Sequence, residues 1–252
     1  MAALAPDILT TIGPLPITNT LVNTIFIDAV IIGSLILLQK NIKKIPGLFQ
    51  NAVELVVDGF YNLTESISGK NAVKIFPWFF SFFIFILIAN WSALLPGLES
   101  IGFWHHGEHG EEHLVSLNRN LTSDLNATLA LALISFVATH TLSIKAIGIG
   151  QYLGRFLSLN PILLFVGILE IVSEFTKIIS LSFRLFGNIF AGEVVLSTIS
   201  SLFAFGFPVP FIFLEIIVGL VQAMVFSMLT MVFMSVLMTP HHEENHAKEV
   251  NH

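Results

Sequence analysis

Long apolar stretches follow one another along almost the whole chain, separated by short polar gaps. A helix needs about 20 such residues, rising 1.5 Å each, to cross a hydrocarbon core of roughly 30 Å. Only 11% of the residues are charged, well below the quarter or so found in soluble domains. No segment is left over that could bury a separate soluble core. We therefore predict an all-α integral membrane protein with residues 1–252 as a single membrane domain.

The order of apolar and polar segments predicts five membrane helices and one surface helix. The predicted segments are an outer N-terminal segment (1–20), a span (21–38), an amphipathic surface helix (47–67), a transmembrane hairpin (76–143), a long tilted helical hairpin (161–238) and a cytoplasmic tail (239–252). The hairpin at 76–143 contains spans at 76–95 and 125–143, joined by a polar loop at 96–123. The surface helix is predicted from polar and apolar residues that form two separate stripes at helical spacing.

The last hairpin contains the longest apolar helix. Residues 161–203 lack an internal proline, and as one helix they would measure about 64 Å, roughly twice the hydrocarbon thickness. Gly206, Pro208 and Pro210 predict a tight reversal, followed by a second helix of about 43 Å over 210–238. We therefore expect two steeply tilted antiparallel helices.

Basic residues predict the orientation in the membrane. Arg119 is alone on one side of the predicted spans, and the other side holds Lys40, Lys43, Lys44, Lys70, Lys74, Lys145, Arg155 and Lys248. We predict an outer N-terminus and a cytoplasmic C-terminus. The first twenty residues contain no Lys or Arg, so we expect the first span to be retained rather than cleaved as a signal peptide.

Several classes of function are excluded by what the sequence lacks. The net charge of −6 is spread over loops and tails, so nucleic acid is not an expected partner. The chain has no cysteine, which rules out thiolate metal sites and disulfides. Walker, dinucleotide and hydrolase motifs are absent, so the chain is not expected to be an enzyme by itself or to bind a cofactor.

Two basic residues, Lys177 and Arg184, lie inside the long apolar helix. A basic side chain at mid-bilayer costs roughly 3 kcal/mol or more, so it needs compensation or a function. Helical geometry places both on one polar stripe, whose members are Glu170, Glu174, Lys177, Arg184 and Asn188. Arginine keeps its charge where lysine can lose a proton, so Arg184 is the better candidate for a permanent positive charge. The alternative is a structural ion-pair network of Glu170 or Glu174 with both cations.

Polar residues also lie on other faces of the long hairpin. Glu193 follows Arg184 by nine residues, about half a turn around and 13.5 Å along the helix. Glu215 and Gln222, seven residues apart, share a face of the next helix. An antiparallel hairpin would bring that face beside Glu193 or Arg184, where two acids and an amide can line a path for ions.

The segment SFRLFGNIFAGE at 182–193 closely resembles the signature helix of subunit a of F-type ATP synthases. Further resemblances are PG at 46–47, FQ at 49–50, NW at 90–91, LLP at 94–96, DLNATL at 124–129 and QA at 222–223. Together they cover nearly the whole chain from residue 19 to residue 238.

This resemblance implies a static subunit beside a ring of c subunits and next to peripheral-stalk b subunits, in the plasma membrane of a bacterium. Two offset half-channels then lead protons, or sodium in some relatives, to and from the ring carboxylates. The resemblance assigns Arg184 to the ring-facing charge, Glu193 and Glu215 to the relay, Asn188 and Gln222 to the polar neighbours of the arginine, and Asp124 and Glu170 to further channel positions. Many relatives have a histidine at one relay position, whereas this chain has glutamate at both.

Other readings remain open at the level of sequence. A secondary transporter also holds charges at mid-membrane but predicts internal repeats, which are not found here. A purely structural assembly protein would not need a lone arginine with separated acids. Histidines and acids at 105–113 and 241–246 are interpreted as a flexible polar loop and a solvated tail rather than as metal sites. His140 is interpreted as a packing residue, and Asp28 either lines the outer access route or pairs locally.

Overall fold

A computed structural model of the chain describes residues 8–12, 15–94, 102–106, 112–116, 119–156, 161–202 and 206–239. Seven α-helices lie within these ranges: α1 (Asn19–Asn41), α2 (Leu48–Ser68), α3 (Ala72–Ser92), α4 (Leu125–Ile147), α5 (Ile149–Phe156), α6 (Pro161–Leu202) and α7 (Pro208–Leu237). The predicted helices are all present, with ends that differ by a few residues. The short helix α5 was not predicted.

Four helical stretches of the described chain are long and apolar enough to cross a membrane. They are Asn19–Asn41, the stretch Leu48–Ser92 that contains both α2 and α3, Leu125–Ile147 and Pro208–Leu237. The longest helix, α6, is not among these four. The chain is therefore a mainly helical, multi-pass membrane protein.

The prediction of an all-α fold is wrong in one respect, because the described residues include two short antiparallel hairpins. Strands β1 (Ile8–Ile12) and β2 (Leu15–Thr18) precede α1, while β3 (Gly102–His106) pairs with β4 (Glu112–Ser116). The second hairpin occupies part of the segment that was predicted as a flexible polar loop. Phe103, Trp104 and Val115 favour strands, and this preference outweighs the glycines and histidines around them. Residues 107–111 and the histidine-rich tail lie outside the described residues.

The ends of the helices follow from local sequence. The side chain of Thr18 caps α1 by accepting a hydrogen bond from the Leu21 N–H at 3.4 Å. Gly148 has a φ of 84°, a conformation that favours glycine, and there the chain leaves α4 and starts α5. Gly206 has a φ of 83° and precedes α7, which begins at Pro208. Both turns set the position of the helices that carry the charged residues.

Helices α3, α4, α6 and α7 enclose the main core. Its buried members are Phe82, Phe83, Ile86, Leu131, Ala132, Ile178, Leu181, Leu185, Ile189, Ala223 and Phe226. Residues of α6 contribute one face of this core, so the opposite face of α6 is left exposed within this chain. Helix α2 joins from the side through Phe60, whose ring packs against those of Phe79 and Phe83.

Hydrogen bonds between helices hold the same four elements together. Asn90 of α3 donates from Nδ2 to the Gly219 carbonyl of α7 at 2.9 Å, and Trp91 donates from Nε1 to the Ile216 carbonyl at 3.1 Å. Such bonds, with small residues at the contact, are typical of helix packing where no hydrophobic force acts between helices. They fix α7 against α3, and α6 then packs on α7 and α4.

Candidate functional site

Arg184 lies on the exposed face of α6. Its Nη2 donates to Ser180 Oγ at 3.4 Å, a long hydrogen bond one turn away on the same helix. Among the residues that the structure describes, no carboxylate oxygen lies within 4.0 Å of the guanidinium. The fixed positive charge is therefore presented outward from the chain rather than neutralised inside it.

A groove with a volume of about 440 Å³ runs along α6 beside this arginine. Its lining residues are Leu169, Val172, Ser173, Thr176, Lys177, Ser180, Leu181, Arg184, Leu229 and Phe233. Hydroxyl groups and the two cations line a surface that is otherwise apolar. The groove extends from Arg184 toward the end of α6 that packs on α5.

Several small side chains of α6 lie around the exposed arginine, beside larger apolar ones such as Phe183. Thr176, Ser180, Gly187 and Ala191 are all exposed at helical spacing on this face. Small residues allow the backbone of a neighbouring membrane helix to approach closely. This face is suited to contact with another helix at the level of Arg184.

The other charged groups of the predicted stripe are paired. Glu174 is 6% exposed, and its Oε1 accepts a hydrogen bond from Lys177 Nζ at 2.6 Å. Lys177 also lies 4.5 Å from the centre of the Phe233 ring, in a cation–π contact. Glu170 accepts a hydrogen bond from Arg155 Nε of α5. The ion-pair network that the sequence left open exists at this end of α6, but Arg184 is not part of it.

A histidine joins this paired region from α4. His140 Nε2 lies 3.6 Å from the second oxygen of Glu174, and Nδ1 contacts the hydroxyl of Tyr152 on α5. Burial raises the pKa of the Tyr152 phenol, and the carboxylates of Glu174 and Glu170 raise it further. The hydroxyl therefore keeps its proton. Sequence reasoning treated His140 as a packing residue and missed this contact, because the position of Tyr152 depends on the turn at Gly148.

Asn188 and Gln222 were predicted as polar neighbours of the arginine, and the structure brings these two amides together. Asn188 donates from Nδ2 to Gln222 Oε1 at 2.6 Å across α6 and α7. Gln222 is buried, whereas Asn188 is exposed on the same side of α6 as Arg184. The Gln222 Nε2 is buried and makes no hydrogen bond within the described ranges. This amide pair leads from the exposed face of α6 into the interface with α7.

The two predicted relay glutamates lie on neighbouring stretches of α6 and α7. Glu215 is 7% exposed, and its carboxyl packs against Gly192, where an added Cβ would lie 2.8 Å from Oε1. Glu193, the next residue after Gly192, is half-buried. A side chain at position 192 would therefore require the Glu215 carboxyl to move aside.

Asp124 lies at the start of α4 and makes two local hydrogen bonds. Its Oδ1 accepts from the Asn126 N–H at 2.9 Å as the helix cap, and Oδ2 accepts from Thr20 Oγ1 of α1 at 3.2 Å. Asp124 is 5% exposed. The structure thus gives this carboxylate a capping role, and its place in an ion path stays a prediction.

Asp28 and the possible metal ligands are the remaining candidates for a site. Asp28 is exposed on α1 and lines a second cavity of about 440 Å³ with mainly apolar residues, including Ile31, Trp78 and Phe82. Within the part of the chain that the structure describes, no group of three or more His, Asp or Glu side chains is placed to hold a metal ion.

Comparisons with known proteins identify similar sequences over most of the chain. A sequence model of the family described as "ATP synthase A chain" matches residues 21–235. "ATP synthase subunit a" of Moorella thermoacetica is 30% identical over 224 residues, which cover 89% of this chain and 92% of that protein. "ATP synthase subunit a 1" of Hahella chejuensis is 35% identical over 224 residues, covering 89% of this chain and 86% of that protein.

Proposed function

The chain belongs to the ATP synthase A chain family, and from this premise we propose that Arg184 faces a ring of c subunits and couples ion flow to rotation. As a member of this family it is the proton-transporting membrane subunit of the Fo sector, which stays fixed while the ring turns. By itself the chain is not expected to make ATP, since it has no nucleotide-binding motif.

The observation that carries this proposal is the exposed guanidinium of Arg184, which has no carboxylate within salt-bridge distance in the described part of the chain. A fixed cation at mid-membrane needs an anionic partner. A ring carboxylate supplies that partner, and the arginine lowers its pKa. Each carboxylate must then lose its proton as it passes Arg184, and a direct leak between the two sides is blocked.

Two half-channels reach Arg184 from opposite directions along α6. The groove that runs past Ser180 and Lys177 toward α5 supports an inner half-channel. Glu193 and Glu215, which lie toward the turn at Gly206, form the relay of the outer half-channel. The amide pair of Asn188 and Gln222 separates the two near the arginine. Because both relay residues are carboxylates, protons move there between groups of the same kind.

We assign Glu170 to the cytoplasmic entrance of the inner half-channel and Asp124 to the outside entrance of the outer half-channel. Glu170 lies one turn before Glu174, close to the start of the inner groove. Asp124 lies at the beginning of α4, on the side of the membrane that we assign to the outside. Both carboxylates hold local hydrogen bonds, which would have to exchange with water for either group to carry protons.

In the membrane we propose five spans, α1, α3, α4, α6 and α7, with α2 at the surface. Contacts of α6 with α7 pair Asn188 with Gln222 and Lys177 with Phe233, as in an antiparallel hairpin. Helix α6 has 42 residues and is about 63 Å long, so it lies steeply tilted. The end of α1, next to Lys40, Lys43 and Lys44, and the end of α4 at Lys145 face the cytoplasm, as does the C-terminus, and the N-terminus lies outside.

The partners that follow from this role are the c-ring, the peripheral-stalk b subunits and the lipid bilayer. The relatives reported above are bacterial proteins, which supports the plasma membrane of a bacterium. The transported ion is a proton. Sodium is the alternative, and the ion-binding site of the ring determines which of the two is carried.

The test uses vesicles that carry the assembled complex with Arg184→Ala. We expect ATP-driven proton pumping to be lost, while passive proton conductance through the membrane sector persists. Lys145→Ala is the matched control, because it removes an exposed basic residue at the end of α4. Normal coupled pumping in Arg184→Ala would overturn the proposal and would leave Arg184 with a structural role.

A further inference from the structure

Four side chains from three helices form a continuous line of contacts between α5 and the groove beside Arg184. Tyr152 of α5 contacts His140 Nδ1, and His140 Nε2 lies 3.6 Å from Glu174 Oε2. The other oxygen of Glu174 accepts a hydrogen bond from Lys177 Nζ at 2.6 Å. Lys177 lines the groove together with Arg184. The line therefore starts at a half-buried phenol and ends inside the groove.

The contact between His140 and Glu174 has the geometry of an incomplete hydrogen bond. His140 Nε2 is buried and makes no hydrogen bond within the described residues, although it points at a carboxylate oxygen. An imidazole and a carboxylate at this spacing are the two side chains that most often exchange protons in proteins.

The charges around this pair are balanced. Glu174 and Lys177 face His140 from α6, and Tyr152 faces it from α5. Arg155 and Glu170 form a second pair nearby. From α7, the described side chain that packs on this cluster is the uncharged ring of Phe233. With His140 neutral, the two carboxylates offset the two cations, and the cluster has no net charge. One added proton therefore gives the cluster a net charge of +1.

We propose that Glu174 and His140 form a proton-exchange pair that connects the Arg184 groove with the aqueous side next to α5. Tyr152 passes the proton on to water, and Lys177 positions Glu174. This inference rests on the proposed function. A proton on the Glu174 carboxyl moves to Nε2 of neutral His140, leaving a carboxylate and an imidazolium. The imidazolium passes its Nδ1 proton to the Tyr152 oxygen, which releases its own proton to water. Exchange of the ring tautomer and uptake of a new proton by Glu174 from the groove restore the starting state.

A purely structural role for the same residues predicts a different outcome. A buried ion pair that only fixes α4, α5 and α6 would affect assembly and stability, but not how conductance depends on pH. An exchange pair changes the proton flux over the range in which histidine and glutamate titrate. The pH profile of conductance therefore distinguishes the two roles.

The experiment measures passive proton conductance and ATP-driven pumping of the assembled complex in vesicles, between about pH 5 and about pH 9. The variants are His140→Gln and Glu174→Gln, which keep polar side chains but cannot carry the proton. We expect each to lower conductance roughly ten-fold and to flatten its pH profile in the same way. Glu174→Asp, which retains a carboxyl group, is expected to recover a pH-dependent flux.

Phe136→Leu is the packing control. The Phe136 ring lies 4.0 Å from the His140 ring, centre to centre, so the substitution disturbs the same site without removing a titratable group. We expect its pH profile to match that of the unmodified complex. Should Glu174→Gln not assemble, His140→Gln and Tyr152→Phe still test the pair, with Tyr152→Phe expected to lower the flux less than His140→Gln.

Unchanged pH profiles in assembled His140→Gln complexes would overturn the inference, as would an identical change in Phe136→Leu. Neither result would contradict the role of Arg184. The Arg184→Ala variant is expected to lose pumping and keep passive conductance, whichever route protons take to the groove. Failure of this inference and failure of the proposed function therefore give different results.

Discussion

The two charged stretches of α6 differ in whether their charges are paired within the chain. Near α5, Lys177 is paired with Glu174 and Glu170 with Arg155, in contacts shared among α4, α5, α6 and α7. Seven residues further along, Arg184 is exposed, and its described polar contact is a long hydrogen bond to Ser180. Both regions lie on one apolar helix, so the membrane penalises an unpaired charge in each.

Of these charges, that of Arg184 needs a partner from outside the chain. Paired groups satisfy one another and leave little net charge to present. An arginine cannot lose its proton, so its charge must be met by whatever packs against the exposed face. We therefore propose positioning and proton exchange for the paired region, and contact with the ring for the open region.

After Arg184→Ala, the largest loss of pumping is expected from Gly192→Val, which tests the packing of the Glu215 carboxyl on α6. Valine would occupy the space of that carboxyl, which lies 2.8 Å from the position of an added Cβ. We expect pumping to fall by on the order of ten-fold or more, because displaced functional groups lose their alignment. Gly33→Val in α1 is the control, since an added Cβ there meets no atom within 4 Å. Equal pumping rates in the two variants would refute the close packing of Glu215 on α6.

An intermediate effect is expected from Asn188→Leu, which removes the partner of a buried amide. Gln222 would lose its hydrogen bond at 2.6 Å and remain buried, at a cost of about 1–3 kcal/mol. We expect lower pumping and a lower temperature of complex dissociation. A double-mutant cycle with Gln222→Leu isolates the pair, and purely additive effects would show that the two amides do not interact.

The smallest effect on pumping is expected from Arg155→Ala in the paired region. It removes a hydrogen-bonding partner of Glu170 and a weaker hydrogen bond to the Val236 carbonyl at 3.3 Å. Since both side chains of the ion pair are partly exposed, the stability lost is about 1–2 kcal/mol rather than that of a fully buried pair. We expect a lower melting temperature of the complex with pumping kept within roughly two-fold. A complete loss of pumping would place Arg155 in the ion path and weaken the comparison.

Much of the fold could be predicted from the sequence, because apolar runs of membrane length specify helices almost by themselves. The helices α1, α3, α4, α6 and α7 fall where the apolar runs predict them, and α2 falls where the amphipathic pattern predicts a helix. The two β-hairpins were missed because their strands are only four or five residues long and lie in segments interrupted by proline, or by glycine and histidine. Helix α5 was missed because it depends on one backbone angle, at Gly148.

For the site, the sequence named candidate residues but not their contacts. Helical periodicity placed Glu174, Lys177 and Arg184 on one stripe, but it could not tell which of them would find a partner. The pair of Glu174 and Lys177 is an i, i+3 contact within α6, whereas the contacts with Arg155, Tyr152 and His140 arise only through tertiary packing. The close approach of Glu215 to Gly192 likewise needs the register between α6 and α7, which no local pattern encodes.

Cysteine cross-linking tests most directly whether the exposed face of α6 lies against the ring. The chain has no cysteine, so a single introduced cysteine can be followed without background. Ala191→Cys lies on the face of Arg184, and Ala130→Cys on α4 is an equally conservative substitution at another exposed position. With cysteines placed one at a time along the outer ring helix, we predict a disulfide from Ala191→Cys that blocks rotation, and none from Ala130→Cys. Cross-linking from position 130 but not from position 191 would contradict the account.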